Sequence, residues 1–276
     1  MGARLYRRGV AAGTAGRALN DLIVRLRAAG CVFAEDEARL LGAAAPTAEQ
    51  LEQLVVRRVA GEPLEQVLGW AEFDGQRFVV EPGVFVPRRR TELMVRLAVA
   101  AWRARPLSRP PVVVDLCCGC GAVGFAVLRR LGEGRLVAAD VEPAAVHCAT
   151  RNVAPVGGEV LLGDLFEPLP TELRGHVDLL TANVPYVPTG AIALMPPEAR
   201  DHEPRSALDG GPDGLEIFAR VSAGASEWLT PGGAVLLEAS EQQVPTTLNL
   251  LTAAGLTAGV ITDEDLAATI VIGTAR

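Results

Sequence analysis

The sequence predicts an open, mostly parallel α/β sheet preceded by a small helical unit, and three observations carry that prediction. From about residue 110 onward, short apolar runs alternate with helix-length segments, the spacing of strands joined by crossover helices. Over residues 15–60 the only periodicity is helical. Between the two lies an alternating segment broken by Pro82-Gly83, which predicts a β-hairpin. The organisation is therefore a helical domain over 1–72, a hairpin linker over 73–90 and a sheet domain over 91–276.

Each element has its own signal. Leu19, Leu22, Ile23 and Leu26 form one helical stripe, and Leu51, Leu54, Val55 and Val59 form a second. Pro46-Thr47 ahead of Glu49-Gln50 marks a helix start. Thr91 is placed to cap a helix through Met94, Leu97, Ala98 and Ala101, closed by Arg103 to Arg105 and Pro106. Strands are expected at Val112–Asp115, Arg135–Asp140, Glu159–Leu162, Val177–Thr181, Ala234–Glu238 and Ile270–Ile272, with helices at Ala122–Leu131, from Pro143, and near Leu215–Trp228 and Pro245–Ala254.

Composition bounds the function. A chain of 276 residues, 49% of them hydrophobic, buries a core, which excludes global disorder. Its 26 basic and 33 acidic residues leave a net charge of −7, which argues against a broad cationic face for nucleic acid. Every basic residue is Arg, a pattern that GC-rich coding also produces; without Lys there is no Schiff base and no Walker lysine. Five clustered cysteines do not make a secreted disulfide framework. The start of the chain has no hydrophobic signal core, though residues 1–20 carry Arg without acid, and no apolar run is long enough to span a bilayer. A cytoplasmic chain without membrane contact is the expectation.

Two places carry chemistry. The first is Val112-Val-Val-Asp-Leu-Cys-Cys-Gly-Cys-Gly121, a strand running into a glycine turn and a helix, with a second strand ending at Asp140. Glycines allow a ligand close to the backbone, and an acid after the next strand accepts hydrogen bonds from ribose hydroxyls. The turn lacks the dinucleotide pattern G-x-G-x-x-G. It equally suits S-adenosylmethionine, which has a ribose and no pyrophosphate. Cys117-Cys-Gly-Cys120 also has redox spacing, and a metal would need a second ligand pair that only His147-Cys148 offers, in mid-helix. Small buried thiols replacing Gly, Thr or Ser are the reading preferred here, with no metal. The second place is Asp178-Leu-Leu-Thr-Ala-Asn-Val-Pro-Tyr186. Asn183 and the Val184 carbonyl offer two acceptors, and Tyr186 an aromatic face, which together suit a planar NH2 group. An ordinary Asn-Pro turn gives the same letters.

With both places in this order, the sequence resembles class I S-adenosylmethionine-dependent methyltransferases, and specifically the release-factor glutamine N5-methyltransferases. The resemblance runs through Gly61-Glu-Pro-Leu-Glu-Gln-Val-Leu-Gly69, Phe78–Arg88 with Thr91-Glu92, Asp115–Gly121, Gly163-Asp-Leu-Phe166, Glu203–Gly211, Asp213-Gly-Leu215, and Glu238 with Gln242. Three departures stand out. The family's Asn-Pro-Pro-Tyr is Asn183-Val184-Pro185-Tyr186, its first glycine of the turn is Cys117, and its Arg-Pro-Glu-Thr-Glu is Arg88-Arg-Arg-Thr-Glu92. The second-position carbonyl survives the first change because it belongs to the backbone, whereas the fixed φ of proline is lost.

The resemblance implies a Rossmann-like seven-stranded sheet and S-adenosylmethionine as cofactor. Asp115, Cys117, Cys118, Gly119, Cys120 and Gly121 would surround its amino-acid end, with Asp140 on the ribose, Asp164 and Leu165 beside the adenine, and Asn183 between cofactor and acceptor. Asn183, Val184, Pro185 and Tyr186 would receive the amide of a glutamine in a class I peptide chain release factor, the protein acting as a monomer with the helical domain recognising its substrate. Rival readings are an N6-adenine-type nucleic-acid methyltransferase, a catalytically impaired binding module, and a small-molecule N-methyltransferase. His147, His176 and His202 are left without a role, and Asp263-Glu-Asp265 is expected to be a solvated turn.

Overall fold

The computed structural model describes residues 18–105 and 107–276. The arginine-bearing, acid-free residues 1–17 and the Pro106 helix stop lie outside the described residues. The chain divides into two compact units between Gly69 and Trp70. The hairpin expected as a linker falls inside the larger unit.

In the first unit, α1 (residues 18–28), α2 (Ala34–Ala44), α3 (Ala48–Val59) and α4 (Leu64–Leu68) bury Leu22, Leu26, Leu41 and Val55. Leu19 and Val59, at the ends of their stripes, face solvent. Thr47 and Gln50 form a reciprocal capping box at the start of α3, as their spacing predicts. Inside the unit, Arg58 clasps Glu37 through Nε at 2.6 Å and Nη2 at 3.1 Å.

The larger unit opens with the hairpin β1 (Trp70–Phe73) and β2 (Gln76–Val79). Its turn is Asp74-Gly75, not Pro82-Gly83. Both turn residues take positive φ, 49° and 68°, which matches the twist of the strands. Proline, locked at negative φ, cannot do that. Pro82-Gly83 makes a looser turn, with the Val84 N–H donating to the Glu81 carbonyl at 3.1 Å, and an extended segment follows. Thr91 does not cap α5 (Glu92–Arg103) as expected; its hydroxyl is spent elsewhere, on Glu238.

The remaining elements are β3 (Val112–Leu116), α6 (Ala122–Leu131), β4 (Arg135–Asp140), α7 (Pro143–Val153), β5 (Glu159–Leu162), β6 (Val177–Ala182), α8 (Pro197–His202), α9 (Glu216–Trp228), β7 (Leu229–Glu238), α10 (Val244–Ala253), β8 (Thr257–Asp263) and β9 (Ala268–Thr274). Seven strands align in the order β5-β4-β3-β6-β7-β9-β8, with β9 antiparallel to both neighbours and the other pairs parallel. Consecutive residues point to opposite faces: Val113, Leu179 and Leu236 pack with α5, α6 and the hairpin, while Val114, Leu180 and Leu237 pack with α9 and its neighbours. Burial on both faces explains why these strands read as unbroken apolar runs. β8 carried no such signal because nearly all of it is exposed at the sheet edge. Among the described residues no helix is long and apolar enough to cross a membrane.

From β3 the chain continues outward to β4 on one side, and later to β6 on the other. The crevice beyond the carboxyl ends of β3 and β6 is thus a topological switch point, where open α/β sheets hold ligands.

Candidate active site

The turn after β3 is built to leave its backbone open. Cys117 adopts φ 51°, a left-handed conformation that glycine takes freely and other residues seldom do, so a small side chain stands where the resemblance has glycine. The Cys118 N–H donates to the Ala139 carbonyl at 3.1 Å, and the Gly119 N–H to Asp140 Oδ2 at 2.9 Å. Gly121 opens α6 at φ 79°, and a Cβ there would sit 2.9 Å from a Val153 methyl.

Two carboxylates brace the turn. Asp140 also accepts the Glu142 N–H at 2.9 Å. Asp115 accepts the Gly124 N–H at 2.9 Å and the Thr181 hydroxyl at 2.8 Å, tying α6 to β6. Burial pushes the Asp115 carboxyl up to about 7, against those two hydrogen bonds and helped by the charge of Asp140. Burial also raises Asp140. Between the ordinary value of 3.8 and about 7, the folded state therefore holds a proton on Asp115 that the unfolded chain has lost. Stability falls as pH rises through that window. Asp115→Asn should flatten the slope, read as melting temperature against pH; an unchanged slope would remove Asp115 as its source.

This turn, the extended segment after the hairpin, and residues 204–207 enclose a cleft with about 770 Å³ of open space, the solvent at its mouth included. Asp115, Cys117, Cys118, Gly119, Cys120, Asp140, Asn183 and Pro185 line it. Gly121 is outside this lining, as the cap that precedes the helix. Phe85, Thr91, Glu142 and Ser206 line it too, and sequence reasoning missed them as ligand contacts. Asp164 and Leu165 are not in the wall. Asp164 pairs with Arg220 at 2.6 Å, and Leu165 is buried in the core.

The three thiols of the turn are buried or half-buried, and burial pushes all three well above the ordinary thiol range. Such thiols are poor nucleophiles, which weighs against a redox dithiol. Native alkylation followed by mass spectrometry should leave Cys118 and Cys120 unmodified while the unfolded chain reacts fully. Labelling of both in the folded protein would revive the redox reading. Among the described residues no group of three His, Cys, Asp or Glu is arranged to hold a metal ion.

A second cavity, about 370 Å³, adjoins the first and is lined by Phe85, Arg88, Arg90, Asn183, Val184, Tyr186 and the loop residues Met195, Glu203 and Leu208 among others. Asn183, Phe85 and Ala207 face both cavities. No described residue hydrogen-bonds the Asn183 amide or the Val184 carbonyl, whereas the buried Asn152 amide is fully engaged. The loop itself is fixed. Gln243 Nε2 donates to the Tyr186 carbonyl at 3.0 Å, and Val187 exchanges backbone hydrogen bonds with Leu208 and Gly210. Gln242, singled out from the sequence, is exposed, and its neighbour Gln243 makes these contacts. Gly214 presses so near that a Cβ would lie 2.3 Å from the Tyr186 carbonyl oxygen. Glu203, fully buried, holds Arg88 and the Val86 N–H. The Tyr186 hydroxyl is pushed up to about 12 by burial and the charge of Glu238, so it is no base. None of the three histidines lines either cavity.

The chain is similar to known methyltransferases. A family profile described as "Methyltransferase small domain" matches residues 76–195. A release factor glutamine methyltransferase of Mycolicibacterium smegmatis is 38% identical over 235 residues, covering 84% of this chain and 82% of the relative. A 4-amino-L-phenylalanine/4-methylamino-L-phenylalanine methyltransferase of Streptomyces pristinaespiralis is 35% identical over 263 residues, 89% of each chain. Among solved structures, a T. thermophilus 16S rRNA N2 G1207 methyltransferase in complex with AdoMet and guanosine shares the fold, with a TM-score of 0.52 at 20% identity over 75% of this chain and 50% of that one.

Proposed function

The chain belongs to the release factor glutamine methyltransferase family, and we propose that it methylates the side-chain amide nitrogen of a protein glutamine, that of the Gly-Gly-Gln loop of a class I release factor. What carries the reading is the uncommitted pair, the Asn183 amide and the Val184 carbonyl, standing where the two cavities meet.

Its cofactor is S-adenosylmethionine, and the donor set fits it. The Asp140 carboxylate suits the ribose hydroxyls, and the glycine turn with the N-terminus of α6 suits a carboxylate. Bound there, S-adenosylmethionine supplies a methyl group on a positively charged sulfur. The protein's task is alignment. An amide nitrogen is a weak nucleophile because its lone pair is delocalised into the carbonyl. Asn183 Oδ1 and the Val184 carbonyl each accept one N–H of the acceptor. That orients the nitrogen toward the cofactor cleft and stabilises positive charge growing on it. Transfer would form the N–C bond as the sulfur–methyl bond breaks, its electron pair staying on the departing thioether, and one N–H proton would leave to water, since Glu203 is held by Arg88 and the Tyr186 hydroxyl keeps its own proton. Asp164 and Leu165, which would border the adenine, follow the end of β5 and do not themselves line the cleft.

The relative that acts on 4-amino-L-phenylalanine supports a second reading, in which the NH2 group belongs to a small aromatic amine. One experiment separates them. Labelled S-adenosylmethionine is offered with the organism's class I release factors, with a Gly-Gly-Gln peptide, or with 4-amino-L-phenylalanine, and mass spectrometry maps the methyl group. A single methyl on the loop glutamine is expected, with a lower KM for the intact factor than for the peptide if the helical unit grips the protein substrate. Transfer to the amine alone would overturn the glutamine reading. We take the enzyme to act as a cytoplasmic monomer.

A further inference from the structure

Around Tyr186 the side chains close a ring of hydrogen bonds. Arg90 donates through Nε to Glu238 Oε1 at 2.8 Å and through Nη2 to the Tyr186 hydroxyl at 2.5 Å. The Tyr186 hydroxyl donates to the same Glu238 oxygen at 3.1 Å, and the Thr91 hydroxyl to Oε2 at 2.7 Å. Glu238 is almost wholly buried at the end of β7, so the ring is anchored on the sheet, and hydrogen bonds to an ionised partner in such a setting are the stronger kind. Arg90 thereby joins the segment after the hairpin to the last residue of the Asn183–Tyr186 loop.

The same loop lacks an internal restraint at its second position. Residue 184 is Val rather than proline, so its φ is free to vary and it carries an N–H. That N–H, on a buried residue, donates to no described residue. Val184 thus leaves the loop without a restraint from inside, and Arg90 holds it from outside.

We infer that Arg90 is a positioning residue for the acceptor loop, its guanidinium supplying the order that Val184 does not. The inference rests on reading Asn183 and the Val184 carbonyl as the acceptor's binding pair. It predicts that a proline at 184 makes the clamp redundant. The position accepts one without losing a hydrogen bond, and proline would also hold Asn183 in extended conformation.

The test is hydrogen exchange in the full chain without acceptor, followed at the amides of Val187 and Gly210, whose hydrogen bonds cross between the loop and residues 208–210. In Arg90→Met their exchange should quicken about tenfold, the scale of one lost charge-assisted bond, while amides in β4 and α7 keep their rates. In the double variant Arg90→Met/Val184→Pro it should return to within about threefold of the parent, and the maximal rate of methyl transfer should fall and recover in step with unchanged cofactor affinity. Should Arg90→Met fail to fold, Tyr186→Phe carries the same comparison, because it leaves the Arg90–Glu238 pair intact. Parent-like exchange in the single variant, or faster exchange that proline does not reverse, overturns the inference. Because no acceptor is present, a wrong choice of substrate leaves the exchange result standing and shows itself as absence of transfer to glutamine by every variant.

Discussion

Asn183→Ala should lower methyl transfer by about a hundredfold to a thousandfold, the usual consequence of removing one preorganised hydrogen-bonding partner from a site of developing charge. Cofactor affinity should change by less than about threefold, since the amide is one of many groups lining that cleft and the ribose acceptor is elsewhere. The asymmetry is the test. Single-turnover rates report the loss, and calorimetry reports binding. Turnover near the parent's would end the proposed mechanism, because no other described side chain offers an uncommitted amide at the junction of the two cavities. The fold should not suffer, as the side chain makes no hydrogen bond to another described residue.

Asp140→Ala should show the opposite split. Cofactor binding should weaken about a hundredfold, reflecting a lost ribose acceptor together with two backbone donors left without their partner. Those donors are the N–H groups of Gly119 and Glu142, so the turn itself loosens. At saturating cofactor most of the turnover should return, because the groups that hold the acceptor are untouched. Asp140→Asn, which keeps the acceptor oxygen and drops the charge, should fall between. Unchanged affinity in the alanine variant would remove Asp140 from the site.

Much of this was legible in the letters alone. The strand that ends in Asp140 was bounded correctly because a parallel strand buried on both faces reads as a compact apolar run with polar ends. Asn183 and Asp140 each end such a run and both line the cleft, although an Asn-Pro turn and the two backbone N–H groups that Asp140 accepts are structural reasons for the same letters. The hairpin turn was misplaced because Pro-Gly outweighed Asp74-Gly75, although only the latter accommodates two left-handed residues. The roof of the cleft was missed for a different reason. Phe85 and Ser206 lie in irregular segments, and nothing in their neighbours' periodicity says that tertiary contacts fold them over the strand ends. Thr91 read as a helix cap because a hydroxyl before a helix usually is one, yet the buried carboxylate of Glu238 competes for it. Gln243 and Glu203 act through partners distant in sequence, which spacing does not report.

A single side chain also governs when two walls of the cleft can come together. The Asn152 amide exchanges hydrogen bonds with both backbone groups of Val79 and donates to the Cys120 carbonyl, each at 2.8–2.9 Å. The end of the hairpin and the glycine turn are thus fastened through a residue of α7, more than thirty positions beyond the turn and more than seventy beyond the hairpin. A chain leaving the ribosome has every residue of that turn long before it has the fastener. Joining of these two walls must then wait for α7 to emerge and dock, a long-range step of the kind that slows folding. Binding of cofactor would reward it only afterwards, by mass action on the completed form.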